Sequence, residues 1–210
     1  VACESELDIE PQQSVSEDVA TATADNIEAI LVGAYNTGRG NYDGDIANIS
    51  VLFGNTNQVE WNGTFSNLRD IYFKQMVNNN GSANTIYGNY YLLFGNVNTF
   101  LANLDKFTDP DRQDRVEGEA KFLRGLAYFD MVRIWEKIPL LTSPSKENIT
   151  QADPDSTYAV ITKDLMFAAQ NGSATVSPGR VNKWAAKALL ARVYLCYTGY
   201  YGKSDLLGIV

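Results

Sequence analysis

The sequence predicts an all-α protein of stacked antiparallel helix pairs joined by long irregular loops, and three observations carry that expectation. Two long segments, residues 116–141 (VEGEAKFLRGLAYFDMVRIWEKIPLL) and 178–197 (PGRVNKWAAKALLARVYLCY), place apolar residues at the three-and-four spacing of a core-facing helix. Further runs with the same spacing are separated by Asn-, Gly- and Pro-containing breaks, as expected of consecutive helices that pack on their neighbours. In the second long segment Ala185, Ala188, Leu189, Val193 and Tyr197 share a face, whose small alanines are expected to let a neighbouring helix approach closely. With 210 residues, 45% hydrophobic and 20% charged, the chain can bury one substantial core and is not composed like a disordered protein.

Residues 1–20 lack periodicity and carry Pro11, Ser14 and Ser16, so they are expected to form a tether, with 21–210 as the helical domain. Asp25 and Glu28 have capping-box spacing, and Ile27, Ile30, Leu31, Ala34 and Tyr35 share a face of a first helix that ends near residues 36–40. Residues 37–67 change character, with glycines at 38, 40, 44, 54 and 63, many asparagines, and Tyr42, Phe53, Trp61 and Phe65. They read as a long aromatic-studded loop with a short strand or turn within 46–53, and loops of this length in a domain are often functional. Helical spacing returns with Leu68, Ile71, Tyr72 and Met76, breaks at residues 78–81, and resumes from Ile86 through Tyr90, Leu93, Val97 and Phe100 to Leu104.

Asp109 and Pro110 form a cap with proline at the first helical position, opening the helix that carries Val116, Ala120, Leu123, Ala127 and Ile134 and stops at Pro139. Arg115 with Glu119 and Glu117 with Lys121 are expected on its solvent side, while Glu119 and Arg124 are also placed for a buried pair that orders the stack. Residues 142–155 read as a connector, after which Asp155 is expected to cap a helix bearing Ile161, Leu165 and Ala168. Asn182 is expected to cap the last helix and Gly199 to end it. The spacing of Leu190, Ala191, Tyr194 and Gly199 resembles a tetratricopeptide first helix, although no regular repeat period is present.

A formal charge of −8 opposes nucleic-acid binding, which needs clustered cations to displace phosphate counterions. The absence of histidine removes Ser-His-Asp and Cys-His catalysis and His-based zinc sites. Carboxylate-only glycoside hydrolysis needs no histidine, but no local motif points to it. No stretch approaches the roughly 20 apolar residues that span a bilayer. Of the two cysteines, Cys196 fits a small packing residue within the last helix. Gly38-Arg39-Gly40 reads as a turn, since it lacks the strand and spacing of a dinucleotide fingerprint.

The two long segments closely resemble the signature helices of the SusD/RagB-like family of bacterial outer-membrane lipoproteins, and Leu7 to Pro11 matches the LDIEP that often follows the lipidated cysteine there. The resemblance covers nearly the whole chain and implies a scaffold of tetratricopeptide-like helix pairs. It also implies that a C-terminal half normally follows the last helix here, which would leave Tyr197, Tyr200, Tyr201, Leu206, Leu207 and Ile209 as a candidate exposed apolar patch. Val1-Ala2-Cys3 resembles the tail of a lipobox, so Cys3 is the expected lipid attachment, and Glu4, Glu6, Asp8 and Glu10 resemble the export tag of surface lipoproteins in Bacteroidetes.

What the resemblance implies of function is a cell-surface protein of the outer membrane, lipid-anchored on the extracellular face, that captures glycans and passes them to a TonB-dependent, SusC-like transporter. Neither catalysis nor a cofactor or metal is implied. Sugars present C–H faces that stack on aromatic rings and hydroxyls that need amide and carboxylate partners. Trp61 flanked by Asn57 and Asn62, and Tyr42 flanked by Arg39 and Asp43, have that composition and are the expected ligand-binding residues. Peptide capture on the same scaffold, as in RagB-like proteins, and a helical-repeat interaction scaffold with no small ligand remain the alternatives.

Overall fold

The computed structural model describes residues 16–43, 63–145 and 147–203. A single turn, α1 (Glu17–Ala20), packs against α2 (Ala24–Gly40). Thr23, in extended conformation, caps α2 by accepting from the Asn26 amide at 3.2 Å. The expected cap, Asp25, lies in the first turn because Arg112 takes its carboxylate at 2.6 Å. The stretch of 46–53 expected to hold a strand or turn lies outside the described residues.

Next come α3 (Ser66–Tyr72), which stops short of Met76, and α4 (Gly81–Leu101), whose first turn is capped by Asn80 accepting from the Ala83 amide at 3.1 Å. A 3-10 turn over Leu104–Lys106 leads to α5 (Pro110–Trp135), with Asp109 as cap and proline in its first turn. This helix ends before Pro139, because Glu136 at φ +61° reverses the chain. The segment beyond it forms β1 (Ile138–Pro139), paired antiparallel with β2 (Gln151–Ala152) inside the expected connector.

Helix α6 (Pro154–Asn171) is capped by Asp153, which accepts from the Ser156 amide at 2.7 Å. Asp155, the expected cap, is instead held by the Tyr197 hydroxyl and the Lys203 ammonium, both at 2.9 Å. Asn182 caps α7 (Lys183–Tyr201) as expected, accepting from the Trp184 and Ala185 amides at 3.0 Å. The helix runs past Gly199 and ends at Gly202, which takes the left-handed φ of +67° that glycine adopts without steric cost.

The long helices pack antiparallel in sequence, α2 on α4, α4 on α5, α5 on α6 and α6 on α7. Gly38 of α2 approaches Leu93 of α4, Arg124 of α5 pairs with Asp164 of α6, and Tyr194 of α7 meets Met166 of α6. Helices α2 and α5 run parallel, since Glu28, Tyr35 and Tyr42 meet Arg112, Glu119 and Asp130 in order. The core between them holds Ile27, Leu31, Phe94, Phe100, Tyr128 and Phe129, with Phe94 and Tyr128 stacked at 4.0 Å. The stacked helix pairs are the all-α architecture expected from the sequence.

The residues between the apolar positions of α5 explain its sequence. Gly118 and Gly125 let α6 come close: a Cβ at Gly118 would stand 3.2 Å from Gly172 Cα, and one at Gly125 would stand 3.0 Å from Leu165 Cγ. Arg124 is buried and makes a two-point contact with Asp164, at 2.7 and 2.9 Å, while its remaining nitrogen reaches Asn98 at 2.8 Å and the Thr142 carbonyl at 3.1 Å.

Glu119 is not on the solvent side; it is 1% exposed and accepts from the Tyr35 hydroxyl at 2.8 Å and from Arg180 Nε at 2.7 Å. Arg180 also holds Glu28 at 2.7 Å, and Gly179 at φ +75° makes the turn that sends it back across the stack. Glu119 and Arg124 are both buried, but Glu119 pairs with Arg180 and Arg124 with Asp164 rather than with each other.

Candidate functional site

Helix α2 ends in a turn over residues 38–43. The Asn41 amide donates to the Gly38 carbonyl at 3.0 Å, and the amides of Tyr42 and Asp43 both donate to the Arg39 carbonyl at 2.9 Å, closing a tight turn. Asn41 itself is buried: its Nδ2 donates to the Ile86 carbonyl at 3.3 Å and its Oδ1 accepts from Asn89 at 2.9 Å, so the turn is fixed to α4. Anchored in this way, the turn directs Arg39, Tyr42 and Asp43 outward, and all three are exposed.

Tyr42 has two parts with different environments. The residue is 42% exposed, while its hydroxyl reaches down to donate to Asp130 Oδ2. Asp130, 3% exposed, also accepts from the Tyr90 hydroxyl at 3.0 Å and pairs with Arg133. Burial raises the Asp130 carboxyl above the ordinary aspartate range, and the three donors oppose that shift. Burial beside this carboxylate pushes the Tyr42 and Tyr90 phenols far above their usual range, so both stay protonated donors.

With its hydroxyl committed below, Tyr42 brings a partly exposed aromatic ring to the surface, the kind of group on which the C–H face of a sugar stacks. Arg39 and Asp43 beside it supply five N–H donors and carboxylate acceptors, the complement of sugar hydroxyls. Below the rim, a groove of 260 Å³ runs between α2 and α5, walled by Tyr35, Leu93, Phe122 and Leu126 with Arg39 and Tyr42 at its mouth.

Of the residues expected to bind ligand, Arg39, Tyr42 and Asp43 are thus brought together on one turn, whereas Asn57, Trp61 and Asn62 lie outside the described residues, as does Cys3. Sequence reasoning missed Asp130, Tyr90 and Arg133, which hold Tyr42 in place. The signal was a lone acid in the apolar run Tyr128-Phe129-Asp130-Met131-Val132, since a carboxylate in a buried stretch requires donors. Cys196 is half-buried on α7, as expected. Among the described residues, no group of three or more Cys, Asp or Glu could hold a metal ion, and no helix is long and apolar enough to cross a membrane.

The model of a family described as SusD-like, starch-binding and associating with the outer membrane, matches residues 7–195. A SusD-like protein of Formosa agariphila is 24% identical over 92% of this chain and 40% of its own length. One from Bacteroides ovatus is 36% identical over 39% of this chain and 16% of its own. Among solved structures, a laminarin binding SusD-like protein superposes with a TM-score of 0.75 at 28% identity, covering 85% of this chain and 41% of that one. A SusD superfamily protein from Bacteroides vulgatus gives a TM-score of 0.76 at 19% identity, covering 88% of this chain and 42% of that one, a likeness of fold. The chain therefore spans about 40% of the length of the Formosa relative and of both solved structures.

Proposed function

The chain belongs to the SusD-like family, and on that footing we propose that it captures an oligo- or polysaccharide at the cell surface and delivers it to a TonB-dependent, SusC-like outer-membrane transporter. In this reading Cys3 carries the lipid anchor, residues 1–20 are the tether, and residues 21–210 are a helical domain that a C-terminal half completes.

The observation that supports the reading most directly is the exposed Tyr42 ring, held from below by Asp130 and flanked by Arg39 and Asp43. A ring fixed in this way loses little freedom when a sugar face stacks on it, so more of the contact energy is left for binding. Trp61 with Asn57 and Asn62, further along the same stretch of sequence, adds a second aromatic ring and amide partners to this reading. The role is capture without catalysis: rings and hydrogen-bonding side chains hold the ligand and no bond is broken.

The test is a binding panel of laminarin, starch and xyloglucan with wild type, Tyr42→Ala, Tyr42→Phe and Trp61→Ala. Laminarin leads because it is named for one solved relative. Retention by wild type and Tyr42→Phe, weakened in Tyr42→Ala and Trp61→Ala, is the expected outcome. A folded wild type that retains none of the polysaccharides, or retention unchanged in both alanine variants, overturns the assignment of these residues and directs attention to peptide capture or scaffolding.

A further inference from the structure

The connector between α6 and α7 is a loop whose ends are tied together. The Lys183 amide donates to the Ser173 carbonyl at 2.9 Å, so residues 173–182 leave and rejoin the stack at one point, the form of an Ω-loop. The tip reverses at Pro178 and Gly179, where the Arg180 amide donates to the Ser177 carbonyl at 3.2 Å and Gly179 takes φ +75°, the proline-then-glycine arrangement of a type II turn. Residues 174–179 are all exposed. Among the described residues, the polar contacts of this loop with α2 and α5 come from two neighbours near its end, Arg180 and Val181.

Arg180 reaches across both helices. Its Nη2 lies 2.7 Å from Glu28 on α2 and its Nε 2.7 Å from Glu119 on α5. The Val181 amide donates to the Tyr35 hydroxyl at 2.9 Å, and that hydroxyl donates to Glu119 at 2.8 Å, so side chain and backbone of the loop close on the same carboxylate. Each of the two acids also has a second cation. Arg112 holds Glu28 at 2.8 Å, and Arg115, one turn before Glu119, stands 3.7 Å from the oxygen that Arg180 does not touch, beyond hydrogen-bond distance. The Arg115 side chain is 38% exposed and has room to close that gap. No such reserve faces Arg124, whose other partners are neutral. Parting a buried pair is costly because it strands a charge, but lifting this loop strands neither Glu28 nor Glu119 and releases Arg180 into water.

We propose that residues 173–182 are a strap that opens by handing Glu119 from Arg180 to Arg115, and that its opening uncovers the groove between α2 and α5. Val181 and Tyr35, the two sides of the backbone contact, both line that groove, so lifting the strap takes away one of its walls. At 260 Å³ the closed groove is smaller than most small-ligand pockets, which run from about 300 Å³ upward, and the open one is larger. An exposed tip with few anchors belongs to the low-stability end of a fold, from which moving segments are drawn. The strap works on contacts of the helix stack alone, so it stands apart from the glycan reading.

The experiment measures amide hydrogen exchange in wild type, Arg180→Met and Arg115→Met, read separately for residues 174–182 and for the cores of α2, α5 and α6, with ANS fluorescence as the measure of uncovered apolar surface. Arg180→Met should speed exchange of the strap, the Val181 amide included, by about tenfold or more, the worth of one hydrogen bond to a charged group. It should leave the helix cores unchanged and raise ANS fluorescence. Arg115→Met should slow strap exchange by about threefold, the worth of an exposed pair, because the open state loses the cation that receives Glu119 while the closed state loses only a contact at 3.7 Å. In a Glu119→Gln background that slowing should vanish. Exchange that rises equally in strap and cores of Arg180→Met overturns the strap as a unit of its own. Strap exchange unchanged or faster in Arg115→Met overturns the hand-over, and a faster strap in Arg180→Met with no rise in ANS fluorescence overturns the uncovering of the groove.

Discussion

Replacing Asp164 by alanine leaves the Arg124 guanidinium buried without its counter-charge, and the structure fixes what that costs. Arg124 and Asp164 are 7% and 2% exposed, and their two contacts at 2.7 and 2.9 Å join α5 to α6 in the middle of the stack. The neutral partners that remain, Asn98 Oδ1 at 2.8 Å and the Thr142 carbonyl at 3.1 Å, cannot neutralise the charge. Removing one member of a buried pair costs about 3–5 kcal/mol, which for a chain of this size lowers Tm by about 6–20 °C. Removing both members together, as Arg124→Met with Asp164→Leu, takes away the stranded charge and should restore most of the loss. Urea unfolding of wild type, Arg124→Met, Asp164→Leu and the double variant closes the cycle, with Asp164→Ala measured beside them. A loss below about 1 kcal/mol in Asp164→Ala, the range of a surface pair, would refute the view that this contact is a dry, two-point lock.

Further outcomes follow from the same contacts. Tyr42→Phe removes one donor to a buried carboxylate and should cost about 1.5–3 kcal/mol of stability while sparing glycan retention; equal loss of both in chemical denaturation and binding would show that the hydroxyl, not the ring, meets the ligand. Gly125→Ala puts a Cβ 3.0 Å from Leu165 Cγ and should destabilise by about 1–3 kcal/mol through overpacking, read as a lower urea midpoint. Asn182→Ala frees two amides of the first turn of α7 and should cost about 1 kcal/mol by the same measurement. Asp130 and Glu28 should give opposite pH slopes. The folded Asp130 carboxyl is raised by burial, so the native state keeps a proton that the unfolded chain has lost, and stability falls as pH rises from its unfolded value to its folded one. Glu28 is lowered: burial opposes ionisation, but Arg112 and Arg180 outweigh it, so its contribution is present above its unfolded value and disappears as pH falls through the folded one. Stability measured against pH should therefore fall less steeply with rising pH in Asp130→Asn, where Glu119, raised by burial, keeps part of the slope, and lose less on the acid side in Glu28→Gln, where Asp153 and Asp155 are lowered as well; unchanged slopes would contradict both assignments.

The glycan reading and the helix stack are connected through one residue. Asp130 is needed to neutralise Arg133 and to receive two phenols, so the same carboxylate that closes the core also sets where the Tyr42 ring stands. A site supported in this way is held by helices rather than by loop contacts alone, the condition under which a binding side chain keeps its geometry.

The sequence by itself determined where most helices run, because apolar spacing marks them, although on α7 the expected Ala185 and Ala188 are exposed and Ala186 is buried instead; some starts were also marked by a local capping residue. Asn182 and Asp109 were legible for that reason, while Arg39, Tyr42 and Asp43 were suggested by residue type alone and share one turn in the structure. Where a competing partner came from far along the chain, local rules gave the wrong neighbour: Asp25 is held by Arg112, Asp155 by Tyr197 and Lys203, and Glu119 by Tyr35 and Arg180. Spacing along one helix tells which side chains share a face but not whether that face meets water or another helix. Only the tertiary structure decided that Glu119 and Arg124 sit in separate buried networks, and that Asp130 holds Tyr42. Each of these depends on helix direction and on charges brought together across many residues, and the cost of burying a charge is settled by whatever the fold places beside it.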